Sequence, residues 1–167
     1  MAKAVLISIR PKWCEKIISG EKTIEVRKNR PKLETPFKAY IYCTAGSPEL
    51  NCPHGNGKVI GEFTCDTYVT DKTFGHDAFF NAAACMSEEN AATYAAGSPL
   101  YGWHISDLMI YDQPKELEDF HKECQNDLFC YRCALFNLTN KHCGNVALEV
   151  HRPPQSWCYV EDFSHAW

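Results

Sequence analysis

Apolar and polar positions alternate in short runs through the first quarter of the chain, and glycines and prolines punctuate them. The run AVLISIR, residues 4–10, has the period of a strand. PKWCEKIISG then reads as a short helix, with Pro11 in its first turn, Trp13 and Ile17 four apart on one face, and Gly20 as its stop. KTIEVRK returns to strand period, Ile24 and Val26 pointing one way and Thr23, Glu25 and Arg27 the other. A proline-broken loop, NRPKLETPF, leads to a third strand, KAYIYCTA.

Further on, the turn-rich GSPELNCPHGNG precedes a long strand, KVIGEFTCDTYV. Ala-rich helical stretches follow and end at Gly97, with Ser87 before Glu88, Glu89 and Asn90 as a helix entry. YGWHISDLMIYD is the next strand and PKELEDFHK a helical turn. VALEV and SWCYVE are strands closing the chain, separated by the rigid Pro153-Pro154 pair. About six mostly short strands with segregated helices predict an α+β domain built on a small, partly closed β-barrel with flanking short helices. No repeat, low-complexity tract or linker divides it, so residues 1–167 are expected to form one domain.

With 167 residues, 45% of them apolar, such a domain can bury a core without staples. No run approaches the roughly 18 apolar residues of a membrane span, and MAKAVLISIRPK lacks the pattern of a signal peptide. A cytoplasmic location with no membrane partner is therefore expected, and no feature points to a protein partner. The net charge of −4 conceals an asymmetry: residues 1–44 hold 10 of the 17 Lys and Arg and 4 of the 21 Asp and Glu. That stretch is +6, the remainder −10. Such a distribution argues against coating long nucleic acid and suits either a solvated charged face or one cationic mouth for a small anion or short strand.

Ten cysteines without a secretory signal point to reduced thiols. Cys43 and Cys65 lie in strands and read as small core hydrophobes. Cys124, Cys130, Cys133 and Cys143 are different. They form C-x5-C-x2-C-x9-C within an insert, residues 121–145, that lacks strand periodicity. Either these thiolates hold one structural zinc, whose binding energy replaces the core the insert lacks, or they are free or incidentally paired. Four protein ligands would leave that metal no open position for chemistry, and no organic cofactor is expected.

The chemistry concentrates at Lys22, Glu25 and Arg27. Glu25 and Arg27 stand roughly 7 Å apart along one strand face, within reach of the long Arg side chain. They form either a surface ion pair worth about 0–1 kcal/mol or a polar clamp, with Lys22 reaching an anion or carbonyl, or acting as a base if desolvated. Ser8, Arg10 and Lys12 would contribute to the same cleft. Glu62 is either a second carboxylate or solvent-facing, and His104 either a proton shuttle or a hydrogen-bonded core residue. Trp157 and Tyr159 share one strand face and are either core or a stacking surface for a base.

LISIRPKWCEKIISGEKTIEVRKNRP resembles the opening of an ASCH domain, marked by G-x-K-x-x-x-x-R, here Gly20, Lys22 and Arg27, often with a Glu at the Glu25 position. VIGEF, YGWHIS, YDQPKEL and RPPQSWCYVE are similar to the matching segments of phage- and prophage-type members. The resemblance covers nearly the whole chain apart from the Cys-rich insert, and implies a PUA-like β-barrel with a cleft and an association with RNA or nucleoside ligands. Some ASCH-like proteins deacylate N4-acetylcytidine with a Thr nucleophile, a Lys and a Glu, and at least one is a ribonuclease. Lys22 matches that Lys, whereas Glu25 stands at the Thr position and Thr23 is out of register. Two readings follow: a binding cleft for an unstacked base, with Ser8, Arg10, Lys12, Arg27, Glu62, Trp157 and Tyr159 as binding residues; or a hydrolase, with Lys22 and Glu25 acting on water.

Overall fold

The computed structural model describes residues 3–46, 56–124 and 145–162. The elements run β1 (Lys3–Ile9), α1 (Pro11–Ile18), β2 (Ile24–Arg27), β3 (Phe37–Cys43), β4 (Lys58–Asp71), α2 (Ala78–Ala83), α3 (Glu88–Ala95), β5 (Leu100–Lys115) and β6 (Trp157–Glu161), with 3-10 turns at Leu117–Asp119 and Val146–Leu148. The six strands form one mixed sheet in the order β2-β5-β4-β3-β1-β6. β1 pairs parallel with β3, and the remaining pairings are antiparallel.

This sheet corrects the expectation of a PUA-like barrel. It is open, with β2 paired to β5 and β6 paired to β1, and no ladder joins the two edges among the described residues. Side chains cross where a barrel would have backbone pairing. Arg27 Nη2 donates to the Ser8 carbonyl at 2.6 Å, and Trp157 Nε1 donates to Asn29 Oδ1 at 2.9 Å. β2 has four residues, so its backbone offers little to a second neighbour. VALEV is likewise a 3-10 turn followed by one bridge residue, Glu149, rather than a strand.

Both faces of the sheet are covered, which explains why the central strands are apolar on both sides. Val5, Ile7 and Ile9 pack with Cys14 and Ile17 of α1 and with Phe37, Phe63 and Trp103. Ala4 and Leu6, facing the other way, join Tyr40, Val59, Phe120 and Val160. A third cluster sets Ile24 and Val26 against Phe80, Ala84, Ala91 and Ala95 of the α2–α3 region. Gly102 permits that contact, since a Cβ there would fall 2.4 Å from Ile24 Cγ2 and 2.8 Å from Phe80 Cε2.

Local signals hold the helices where the sequence places them. Pro11 opens α1, and the Ser87 side chain accepts from Asn90 N–H at the entry of α3. Asp77 caps α2 in the same manner by accepting from Phe80 N–H. Cys43 and Cys65 are buried within strands, and burial pushes the Cys65 thiol up to about 12, as befits a core residue. Among the described residues no helix is long and apolar enough to cross a membrane.

Candidate functional site

The gap between β2 and β1 is a cavity of about 640 Å³. Three segments wall it: Ser8, Ile9 and Arg10 leaving β1; Lys22, Glu25 and Arg27 on and before β2; and the Pro153–Ser156 corner that precedes β6. Trp13 from α1 and Tyr94 from α3 complete it on two further sides. The proline pair is tied to β1, because Ser8 Oγ donates to the Pro154 carbonyl at 2.6 Å and Ser8 N–H to the Ser156 carbonyl at 2.9 Å.

Strand alternation turns Glu25 and Arg27 to the cavity while Ile24 and Val26 pack in the helical cluster, Val26 also reaching the cavity wall. Arg27 Nη1 lies 2.9 Å from Glu25 Oε1, so the long Arg side chain does reach the carboxylate. Lys22 Nζ lies 3.5 Å from Glu25 Oε2 and donates to the Ala84 carbonyl at the end of α2 at 2.8 Å. Lys22 and Glu25 are each only 3% exposed. This is no surface ion pair, since both charges have left water.

Desolvation pushes the Lys22 pKa below the ordinary lysine value, against the opposing charge and hydrogen bonding of Glu25. The ammonium also lies 5.1 Å from the centre of the Trp13 ring, whose outer neighbour Lys12 is at 4.4 Å. On the far side Lys28 Nζ sits 5.1 Å from the Tyr94 ring centre. Cation–ring contacts on Trp13 and on Tyr94 thus flank the cavity from separate elements.

The residues singled out from the sequence divide between this cleft and other places. Ser8, Arg10, Lys22, Glu25 and Arg27 line it, and Lys12 stands beside it on Trp13. Glu62 lies across β4, bonded to Lys38 Nζ at 2.6 Å and to the Tyr111 hydroxyl, which burial and that carboxylate hold protonated. His104 pairs with Asp66 at 2.7 Å in a half-exposed position. Trp157 stacks edge-on against Trp103 and Tyr159, at 6.0 and 5.4 Å, and the Tyr159 hydroxyl accepts from Lys32 N–H at 2.8 Å. None of these four is among the residues that wall the cavity. Tyr94 was missed, because "NAATYAAG" shows only an Ala-rich helix and nothing local links it to Lys28.

Cys124 is half-buried and free, while Cys130, Cys133 and Cys143 fall outside the described residues. Among the described residues no group of three or more His, Cys, Asp or Glu could hold a metal ion. Cys14 is buried and its thiol donates to the Ile9 carbonyl, and burial pushes the Cys158 thiol up, so neither is an activated nucleophile.

An open mixed sheet with a charged cleft at its seam defines a small α+β domain with a polar pocket. The ASCH domain model matches residues 7–132, and the chain belongs to the ASCH domain family. Among solved structures it is similar to an ASCH protein from Zymomonas mobilis, at 19% identity and a TM-score of 0.61, covering 95% of this chain and 88% of that one. Two single-residue variants of that protein give TM-scores of 0.62 and 0.61, at 19% and 18% identity, covering 96% and 95% of this chain and 92% and 89% of theirs. At such identities the likeness is one of fold. No curated protein matches significantly. Family membership accords with a function directed at nucleic acids or nucleosides in general.

Proposed function

We propose that the cleft binds one unstacked nucleobase of RNA or of a free nucleotide. The observation that carries this reading is the buried Lys22–Glu25–Arg27 network facing a cavity of about 640 Å³ with Trp13 and Tyr94 on its walls. Pockets of this size suit a nucleoside-sized ligand. Aromatic faces beside cations suit a base and its phosphate, each stacked base being worth about 1–3 kcal/mol. Arg10, exposed at the rim, adds charge for a phosphate.

Calorimetric titration with nucleoside monophosphates and a short single strand tests it. Arg27→Ala and Tyr94→Ala are each expected to weaken binding about 10-fold or more while melting stays cooperative. The salt dependence is expected to be shallower than that of a binder contacting many phosphates. Duplex bound as tightly as single strand, unaffected by Arg27→Ala, would remove the cleft from consideration.

A second reading has its own observation, the desolvated Lys22 with a carboxylate 3.5 Å away. A lysine with a lowered pKa can take a proton from water or a leaving group, a role typically worth 10²–10⁴-fold in rate. In this reading the protein hydrolyses an acylated nucleoside such as N4-acetylcytidine. Turnover is expected to be lost in both Lys22→Ala and Glu25→Gln, and its survival in both would move the chemistry elsewhere.

The Cys-rich insert is proposed to carry one structural zinc on Cys124, Cys130, Cys133 and Cys143. Metal analysis of purified protein should find about one equivalent. The paired substitution Cys130→Ser with Cys133→Ser should release it and leave the sheet folded. Metal-free protein in which the cysteines are all reactive toward a thiol reagent would end this proposal.

A further inference from the structure

Lys28, Arg30 and Lys32 follow Arg27 closely in sequence, on the loop that leaves the cleft for β3, and all three are exposed. Among the described residues none of them has a carboxylate partner, whereas Lys3, Lys16, Lys38 and Lys58 are each paired with one. The loop's own carboxylate, Glu34, lines a separate hollow with Phe37 and Lys38. Unpaired surface cations are ordinarily just a solvated face, but this loop is held in place. Lys28 Nζ lies 5.1 Å from the ring centre of Tyr94 in the cleft wall, and the Arg30 guanidinium 5.1 Å from that of Tyr68. Asn29 Oδ1 accepts from Trp157 Nε1 at 2.9 Å, one residue beyond the Ser156 corner of the cleft, and Lys32 N–H donates to the Tyr159 hydroxyl at 2.8 Å. The row of charges thus starts at the edge of the cleft and is pinned to two residues of β6.

We propose that Lys28, Arg30 and Lys32 form a phosphate-tracking lane leading out of the cleft, so that the ligand is a single strand continuing past the bound base. The proposal rests on the base-binding reading above and adds the direction and extent of the ligand. From Arg27 to Lys32 the chain can reach at most about 17 Å, and the three cations along it meet about two or three phosphates. The lane is therefore short. Contacts to phosphates position a strand without reading its sequence, so the lane adds affinity and leaves base preference to the cleft. Pinning contributes as well, because a loop already ordered loses less freedom on binding.

The test is a length series. Calorimetric titration is run with the nucleoside monophosphate that binds best and with its single-stranded homo-oligomers of two, three and six nucleotides. Affinity is expected to rise about 10-fold from one nucleotide to three and to level off by six, as a few exposed contacts of modest strength add up. The salt slope is expected to steepen by about 0.7 for each phosphate gained. In the double variant Arg30→Gln with Lys32→Gln the trinucleotide should fall toward the monophosphate, while the monophosphate itself stays within about 2-fold. The Lys32 N–H bond to Tyr159 is made by backbone and survives the change. Should that variant fail to fold, the length series and salt slopes of the unaltered protein decide alone. Monophosphate and hexamer bound within about 2-fold of each other would overturn the lane and leave base binding intact. A length dependence that persists undiminished in the double variant would also overturn it, by putting the extra contacts elsewhere. Failure of every nucleotide to bind would overturn both readings.

Discussion

Replacing Glu25 by alanine is expected to cost about 3–5 kcal/mol of stability at neutral pH, the range typical of removing one partner from a buried ionic pair. The loss is large because two cations remain. Lys22 stays at 3% exposure and Arg27 beside it, with no counter-charge in the cavity wall. The penalty should also shrink as pH rises. Desolvation already lowers the folded-state pKa of Lys22 below the ordinary 10.5, and removing Glu25 takes away the two largest influences that raise it. Between the folded and unfolded pKa values the unfolded chain binds more protons, so stability climbs with pH across that window. Below the folded pKa the burial penalty is present in full. Denaturant titrations of both proteins from neutral to alkaline pH measure this directly. A deficit under 1 kcal/mol, or one that widens with pH, would mean that the charges are solvated.

Trp103→Ala should be comparably severe, at about 3–5 kcal/mol, or a fall in melting temperature of roughly 10–20 °C for a domain of this size. The indole is fully buried and meets Phe37, Tyr68 and Trp157 edge-on with ring centres 5.7, 6.3 and 6.0 Å away. It also stands directly across the β2–β5 ladder from Glu25, so the vacated space opens behind the ionic network. Trp103→Phe should cost far less than Trp103→Ala. Its Nε1 has no acceptor among the described residues, so phenylalanine sacrifices volume but also removes an unpaired donor. Equal damage from the two substitutions, read by thermal melting, would show that the indole N–H has a partner after all.

The part of the site on β2 was legible because strand alternation is local. Ile24 and Val26 against Glu25 and Arg27 assign two faces whatever lies around them, and the structure keeps both assignments. The proline at α1 and the Ser87 cap were readable for the same reason. Closure of the sheet was not readable, since it depends on whether β2 meets a strand lying more than a hundred residues away in sequence. The order of strands suggested a barrel, and the four-residue length of β2 with the Arg27 and Trp157 bridges produced an open seam. Trp157, Tyr159 and Glu62 carried the right side chains for a binding site. Their positions were set by packing and by partners such as Asn29, Lys32 and Lys38, which pattern alone does not connect to them. Tyr94 reached the cleft by the converse route, through the docking of α3 beneath β2.

The chain leaves for the Cys-rich insert and returns from it at neighbouring points. His121 and Glu149 form a bridge, Lys122 N–H donates to the Leu148 carbonyl at 2.7 Å, and Val150 N–H to the Phe120 carbonyl at 2.9 Å. Phe120 and Val150 root this junction in the cluster on the sheet face away from the α1 packing, and neither walls the cleft. Because the entropy of closing a loop grows only with the logarithm of its length, the junction works as a socket for interchangeable cassettes. A different segment spliced between residues 124 and 145 is therefore expected to leave the walls of the pocket in place, which makes this the natural attachment point for a tag, a reporter or a partner-binding peptide.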